Sequence, residues 1–107
     1  MLPSERWRIH DRYGNAIYLT DERWEHIVAH HPEMGGCEAL LEETLRSAPR
    51  KQDSLNPRKY RYVKAFENLA LDNTHLVAIV LFRFRDNGTD LPIPNNYVVT
   101  AFLKEVG

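Results

Sequence analysis

The sequence predicts an α+β domain: an N-terminal β-hairpin and two helices packed on a three- to four-stranded antiparallel sheet. Three observations carry that prediction. Trp24, Ile27, Val28 and His31 recur at i, i+3, i+4 and i+7, the stripe of an amphipathic helix. After Pro49 the hydrophobic period changes from helical to strand-like. Leu76 to Phe82 is apolar at every position and rich in branched side chains, as in a central strand covered on both faces.

The elements follow in order. Trp7 to His10 and Ala16 to Leu19 are short strand-like runs, separated by the turn cluster Arg12-Tyr13-Gly14-Asn15, and read as a hairpin. Thr20 offers a hydroxyl cap, and Asp21 and Glu22 place negative charge on the free N–H groups of a first turn, so a helix starts there. It stops near His31, because Pro32 disfavours helical backbone in the residue before it. Gly35-Gly36 breaks the chain. A second helix follows, with Ala39, Leu40, Leu41 and Leu45 inward and Glu38, Glu42 and Glu43 toward solvent, and ends by Pro49. Strands are expected at Tyr60 to Phe66, His75 to Arg85 and Tyr97 to Leu103, with Asp86-Asn87-Gly88 as a turn.

The 107 residues, 43% of them apolar, suit one domain over 1–107, whose core removes about two-thirds of the unfolded surface from water. A net charge of -1 excludes a polycation that coats nucleic acid by charge alone. The single cysteine, Cys37, can form no intrachain disulfide or thiolate metal site, which fits a reduced, cytoplasmic setting. Leu76 to Phe82 is much shorter than a membrane span, and the first five residues lack a signal pattern, so neither a membrane nor export is expected.

Charge is unevenly spread. Arg46, Arg50, Lys51, Arg58, Lys59, Arg61 and Lys64 face only Asp53 as a local acid, whereas Asp21 to Glu43 holds seven acids and one arginine. Tyr60 and Tyr62 interleave with the basic residues, pairing charge for phosphates with rings on which bases stack. The plainer reading is a solvated edge strand kept from aggregating by its charges.

Histidines cluster at His26, His30 and His31. His26 and His30 have i, i+4 spacing, as in zinc helices, but the residues between them include no glutamate and no third ligand is assigned, so no metal or cofactor is expected. As polar residues they can simply border an amphipathic helix, with His31 on its last carbonyls. Alternatively, imidazole titrates near neutral pH and serves as general acid or base. Thr100, inside the apolar run Tyr97 to Phe102, is either a good strand former or a hydroxyl that donates to a phosphate oxygen.

The segment Ile17 to Ile27 with its Trp24-Glu25-His26-Ile27, then His31-Pro32-Glu33, Pro49 and Val99-Thr100-Ala101-Phe102, resembles small bacterial and phage-associated domains. These are grouped with barnase, EndoU, colicin and RelE nucleases in the BECR superfamily, whose active members are mostly metal-independent ribonucleases. The resemblance spans Ile17 to Lys104. It implies His26 and His31 as acid–base residues and Thr100 as the strand hydroxyl. The family's basic residue has no single counterpart, because Arg58, Lys59, Arg61 and Lys64 occur together, with Tyr60 among them. The implied activity is endoribonucleolytic: a 2′-OH loses its proton to a base and attacks the adjacent phosphorus, and an acid protonates the leaving 5′-oxygen. RNA and a cognate inhibitor protein of a toxin or phage-conflict system are the implied partners. The alternatives are a non-catalytic RNA- or protein-binding module on the same fold, and a metal hydrolase ligated by His26 and His30.

Overall fold

The computed structural model describes residues 4–107. Its strands are β1 (Glu5–His10), β2 (Ala16–Thr20), β3 (Arg50–Gln52), β4 (Lys59–Ala65), β5 (His75–Leu81), β6 (Phe84–Arg85), β7 (Ile93–Pro94) and β8 (Asn96–Lys104). The helices α1 (Asp21–His30) and α2 (Glu38–Ser47) follow the hairpin, with a 3-10 turn, Pro32–Gly36, between them and a second, Ala70–Asp72, before β5. The architecture is α+β with a mostly antiparallel sheet in the order β1-β2-β8-β5-β4-β3. Among the described residues no helix is long and apolar enough to cross a membrane.

The first helix begins and ends as its sequence dictates. The Thr20 hydroxyl accepts the Arg23 N–H at 3.1 Å, and His31, before Pro32, donates its N–H to Ile27 O at 2.7 Å. Thr20→Ala is therefore expected to cost about 1 kcal/mol in chemical denaturation, and Thr20→Ser to cost little. A Thr20→Ala variant as stable as the parent would show that the cap contributes nothing.

Six strands form the main sheet, against the three or four expected, because the hairpin joins it. Ile17 and Tyr18 pair in parallel with Asn96 and Tyr97, and the Asn96 amide donates to Ala16 O at 3.0 Å. β3 is a further edge strand, Arg50–Gln52, too short and too polar to show an apolar alternation. In the other direction β5 is shorter than expected. It ends at Leu81, next to Lys59 and Tyr97, where its neighbours also run out, and Phe84–Arg85 pairs instead with Ile93–Pro94 in a separate two-stranded ribbon.

Both helices cover one face. Leu76, Ala78 and Val80 of β5, Val98, Ala101 and Leu103 of β8, and Ile17 and Leu19 of β2 meet Trp24, Ile27, Met34, Leu41 and Leu45 in one core. Removing these side chains from water is the main stabilising term, since each fully buried large apolar residue contributes roughly 1.5–3 kcal/mol. Glu38, expected in solvent, instead accepts the Trp7 indole N–H at 2.8 Å and is paired with Arg6, which also reaches Asp21 at 3.0 Å. Ala39, expected inward, is exposed.

The hairpin turn also folds over the helical side of the sheet. Gly14, at φ +84°, takes the left-handed conformation that the turn requires, and Asp11 receives the N–H groups of Tyr13 at 2.9 Å and Asn15 at 2.8 Å. Its other oxygen accepts the Tyr62 hydroxyl at 2.6 Å. In a flat sheet four strand spacings, about 19 Å, would separate β1 from β4. The contact therefore requires the sheet to curl toward the helices. Arg50 seals the same corner, its guanidinium 4.3 Å from the Tyr60 ring centroid and 4.9 Å from those of Tyr13 and Phe82.

Candidate nucleic-acid interface

Strand alternation sends every second residue to the face that carries no helix. There the register aligns side chains in rows across the strands. One row runs Arg8, Tyr18, Tyr97, Leu81, Lys59 from β1 to β4. Beside it runs Thr100, Ile79, Arg61, Lys51 from β8 to β3. A third row holds Phe102, Val77 and Val63. Val77 and Ile79 are only 1% and 8% exposed although no helix covers them, so the neighbouring side chains form a closed floor. On β3, β4, β5 and β8 no acid projects to this face.

Two hollows open at its margins. The basic hollow, about 270 Å³, is lined by Lys51, Lys59, Arg61 and Ile79 together with Asp53, Ser54, Gln52 and Tyr60. Asp53 accepts the N–H groups of Leu55 and Asn56 at 2.8 and 2.9 Å, and these hold its carboxyl below the usual range. Lys59 Nζ is 3.9 Å from it. Asp53 thus fixes a turn and leaves the hollow with a surplus of positive charge. The second hollow, about 240 Å³, lies where β2 ends and α1 begins, between Tyr18, Tyr97, Thr20, Glu22, Arg23 and Val98. Its two tyrosine rings have centroids 6.0 Å apart, Arg8 lies 5.1 Å from the Tyr18 ring, and the Tyr18 hydroxyl donates to Asn95 at 2.9 Å.

The residues singled out in the sequence divide between the two faces. Lys59, Arg61 and Thr100 belong to the helix-free face. Tyr60, Tyr62 and Lys64 point to the other one. Tyr62 is fully buried, Tyr60 packs edge-on against Phe82 at 4.8 Å, and Lys64 lies 6.0 Å from the Phe66 ring. Arg58 is exposed in the turn before β4, its carbonyl accepting the Phe82 N–H at 2.7 Å. The rings available beside the basic residues are therefore Tyr18 and Tyr97, not the interleaved Tyr60 and Tyr62. The signal for them was present, since each alternates with buried neighbours: Ile17 and Leu19, and Asn96 and Val98.

Of the three residues expected to form the acid–base site, two meet the same face. His31 is half-buried at the end of α1, its ring 5.6 Å from that of Phe102, which lies two residues from Thr100 on β8. Its Nδ1 is 3.7 Å from Glu33. His26 lines neither hollow. Its exposed ring lies 4.1 Å from that of His30, whose Nδ1 bonds to His26 O at 3.0 Å. Partial desolvation first, then the charges of His30 and Arg23, hold the His26 imidazole below its usual range. Among the described residues no three His, Cys, Asp or Glu side chains converge as a metal site.

Fold and site together define a class of protein: an α+β domain with both helices on one sheet face and a polar, aromatic and basic surface on the other. No family model, curated protein or solved structure matches the chain.

Proposed function

We propose that the protein binds single-stranded RNA across the helix-free face of its sheet. One observation carries this reading: the row Arg8-Tyr18-Tyr97-Leu81-Lys59 lies beside Thr100-Ile79-Arg61-Lys51, with cations at both ends and rings and a hydroxyl between them. Such a surface neutralises phosphates at its rims and stacks unpaired bases in its middle, without the shape match a duplex needs. The resemblance to BECR-type domains supports RNA as the ligand, and the proposal includes that superfamily, a cytoplasmic setting and a toxin-like role checked by an inhibitor protein.

Replacing Lys51, Lys59 and Arg61 together with Ser tests this. The dependence of log K on log salt for a single-stranded RNA should flatten by about two units, from about 0.7 per lost phosphate contact. An unchanged slope, measured by fluorescence anisotropy from low to moderate salt, would place the RNA elsewhere or nowhere.

A second reading, cleavage, is favoured by the meeting of His31 with this face at Phe102, near Thr100. His31 takes the proton of a ribose 2′-OH, the oxygen bonds to the adjacent phosphorus, and the 5′-oxygen departs with a proton from solvent. A cyclic phosphate and a free 5′-hydroxyl result, and no metal takes part in these steps.

A further inference from the structure

The hollow between Tyr18, Tyr97, Glu22 and Arg23 has features that phosphate binding alone does not use. It is separate from the basic hollow: Tyr97 of the one and Lys59 of the other stand two strands apart, with Leu81 between them. Its walls are two tilted rings, and its volume of about 240 Å³ is room for one flat ring system rather than a drug-sized ligand. Its mouth combines a carboxylate and a guanidinium on successive residues, and among the described residues neither is held in an ion pair. The Thr20 hydroxyl oxygen accepts the Arg23 N–H, which leaves its proton free to donate.

We infer that this hollow is a base-reading subsite, which takes one unstacked nucleobase of the bound RNA and reads its Watson–Crick edge with Glu22 and Arg23. The inference rests on the RNA reading given above and adds selectivity to it. A carboxylate accepts two parallel hydrogen bonds, and a guanidinium donates two. The edges that match are those with two adjacent groups of one kind. Guanine presents two neighbouring donors beside an acceptor, and cytosine presents two neighbouring acceptors beside a donor. Uracil alternates acceptor, donor, acceptor, and adenine offers one of each, so both leave part of the pair unmatched. A base that stacks over Tyr97 displaces water from Glu22 and Arg23, and a charged group that loses water without gaining a partner is expensive, which produces the discrimination. Tyr97 supplies the stacking surface on a strand that is paired on both sides, so the platform is rigid.

The test uses the whole chain and the pentaribonucleotides UUGUU, UUCUU, UUAUU and UUUUU, titrated at fixed low salt and then at several salt concentrations. The expected result is that UUGUU and UUCUU bind about tenfold more tightly than UUAUU and UUUUU, the scale of one charge-assisted hydrogen-bond set. Glu22→Gln should remove most of the preference for UUGUU, because the amide presents a donor where guanine also donates. Tyr97→Leu should weaken all four, with the salt slope unchanged in both variants. Should Tyr97→Leu fail to fold, Glu22→Gln, at an exposed helical position, still decides the matter. Four equal affinities at an RNA-like salt slope would overturn the base subsite and leave the RNA-binding face standing. No binding of any pentamer at low salt would overturn the RNA reading, and the subsite with it.

Discussion

Asp11→Ala should destabilise the protein by about 2–4 kcal/mol, the largest stability loss expected of any polar substitution in the described chain. Asp11 is 5% exposed, and its carboxylate takes hydrogen bonds from the Tyr62 hydroxyl, the Asn15 side chain and the N–H groups of Tyr13 and Asn15. Alanine leaves the Tyr62 hydroxyl without an acceptor in a fully buried position and removes the carboxylate that fixes Tyr13 and Asn15 in the turn. Burial alone raises the Asp11 pKa, but the bonds from Tyr62, Asn15 and Tyr13 outweigh it and hold the carboxyl below its usual range. A group whose pKa is depressed by folding stabilises above its unfolded value, near 3.9, and that stability is lost as pH falls through the folded value. The stability difference between the parent and Asp11→Asn should therefore be constant from about pH 5 to 7 and shrink below about pH 4. Chemical denaturation at several pH values reads it directly, and a difference that stays constant into acid would show that the carboxylate is not the group that matters.

The Asp11–Tyr62 contact joins segments far apart in the chain and was not legible in the sequence, whereas features set by neighbouring residues were. Both limits of α1 follow from neighbours in the chain, Thr20 at one end and Pro32 at the other, and Leu76 to Phe82 announces an interior strand by composition alone. The parallel pairing of β2 with β8 has no local signature, because Ile17 and Asn96 meet only after the chain between them has folded. β3 is invisible for another reason: Arg50-Lys51-Gln52 has no apolar residue and is held at the edge by Tyr60, Arg61 and Tyr62. In the candidate site, the basic residues from Arg58 to Lys64 form one run in the sequence but not one surface in the fold. The period of two places Lys59 and Arg61 on one face and Tyr60, Tyr62 and Lys64 on the other. What no pattern could supply is the partner of each ring. Tyr18 meets Tyr97 across a pairing that joins distant segments, and Arg8 reaches Tyr18 only because of the hairpin register.

If the face proposed to bind RNA also cleaves it, the two helix histidines should separate in their effects. The resemblance to BECR-type domains assigns acid–base roles to both, which predicts comparable losses on replacement. The geometry favours His31 alone, through its contact with Phe102 near Thr100, whereas the His26 ring is exposed and packs on His30. His31→Ala is therefore expected to lower cleavage of single-stranded RNA by about two orders of magnitude, the scale of losing a general acid or base, and His26→Ala by no more than a few-fold. Thr100→Val keeps the β-branched shape that suits a strand while removing the hydroxyl, and should reduce the rate. EDTA should change none of these values, and the all-deoxy strand of the same sequence should bind and remain intact, since it lacks the attacking 2′-oxygen. Equal losses for His26→Ala and His31→Ala would refute the assignment of the proton transfer to His31 alone. A parent protein that binds RNA with the expected salt slope but never cuts it would refute the cleavage reading and leave the face as a binding surface, with His31 acting on Phe102 as packing rather than on a proton.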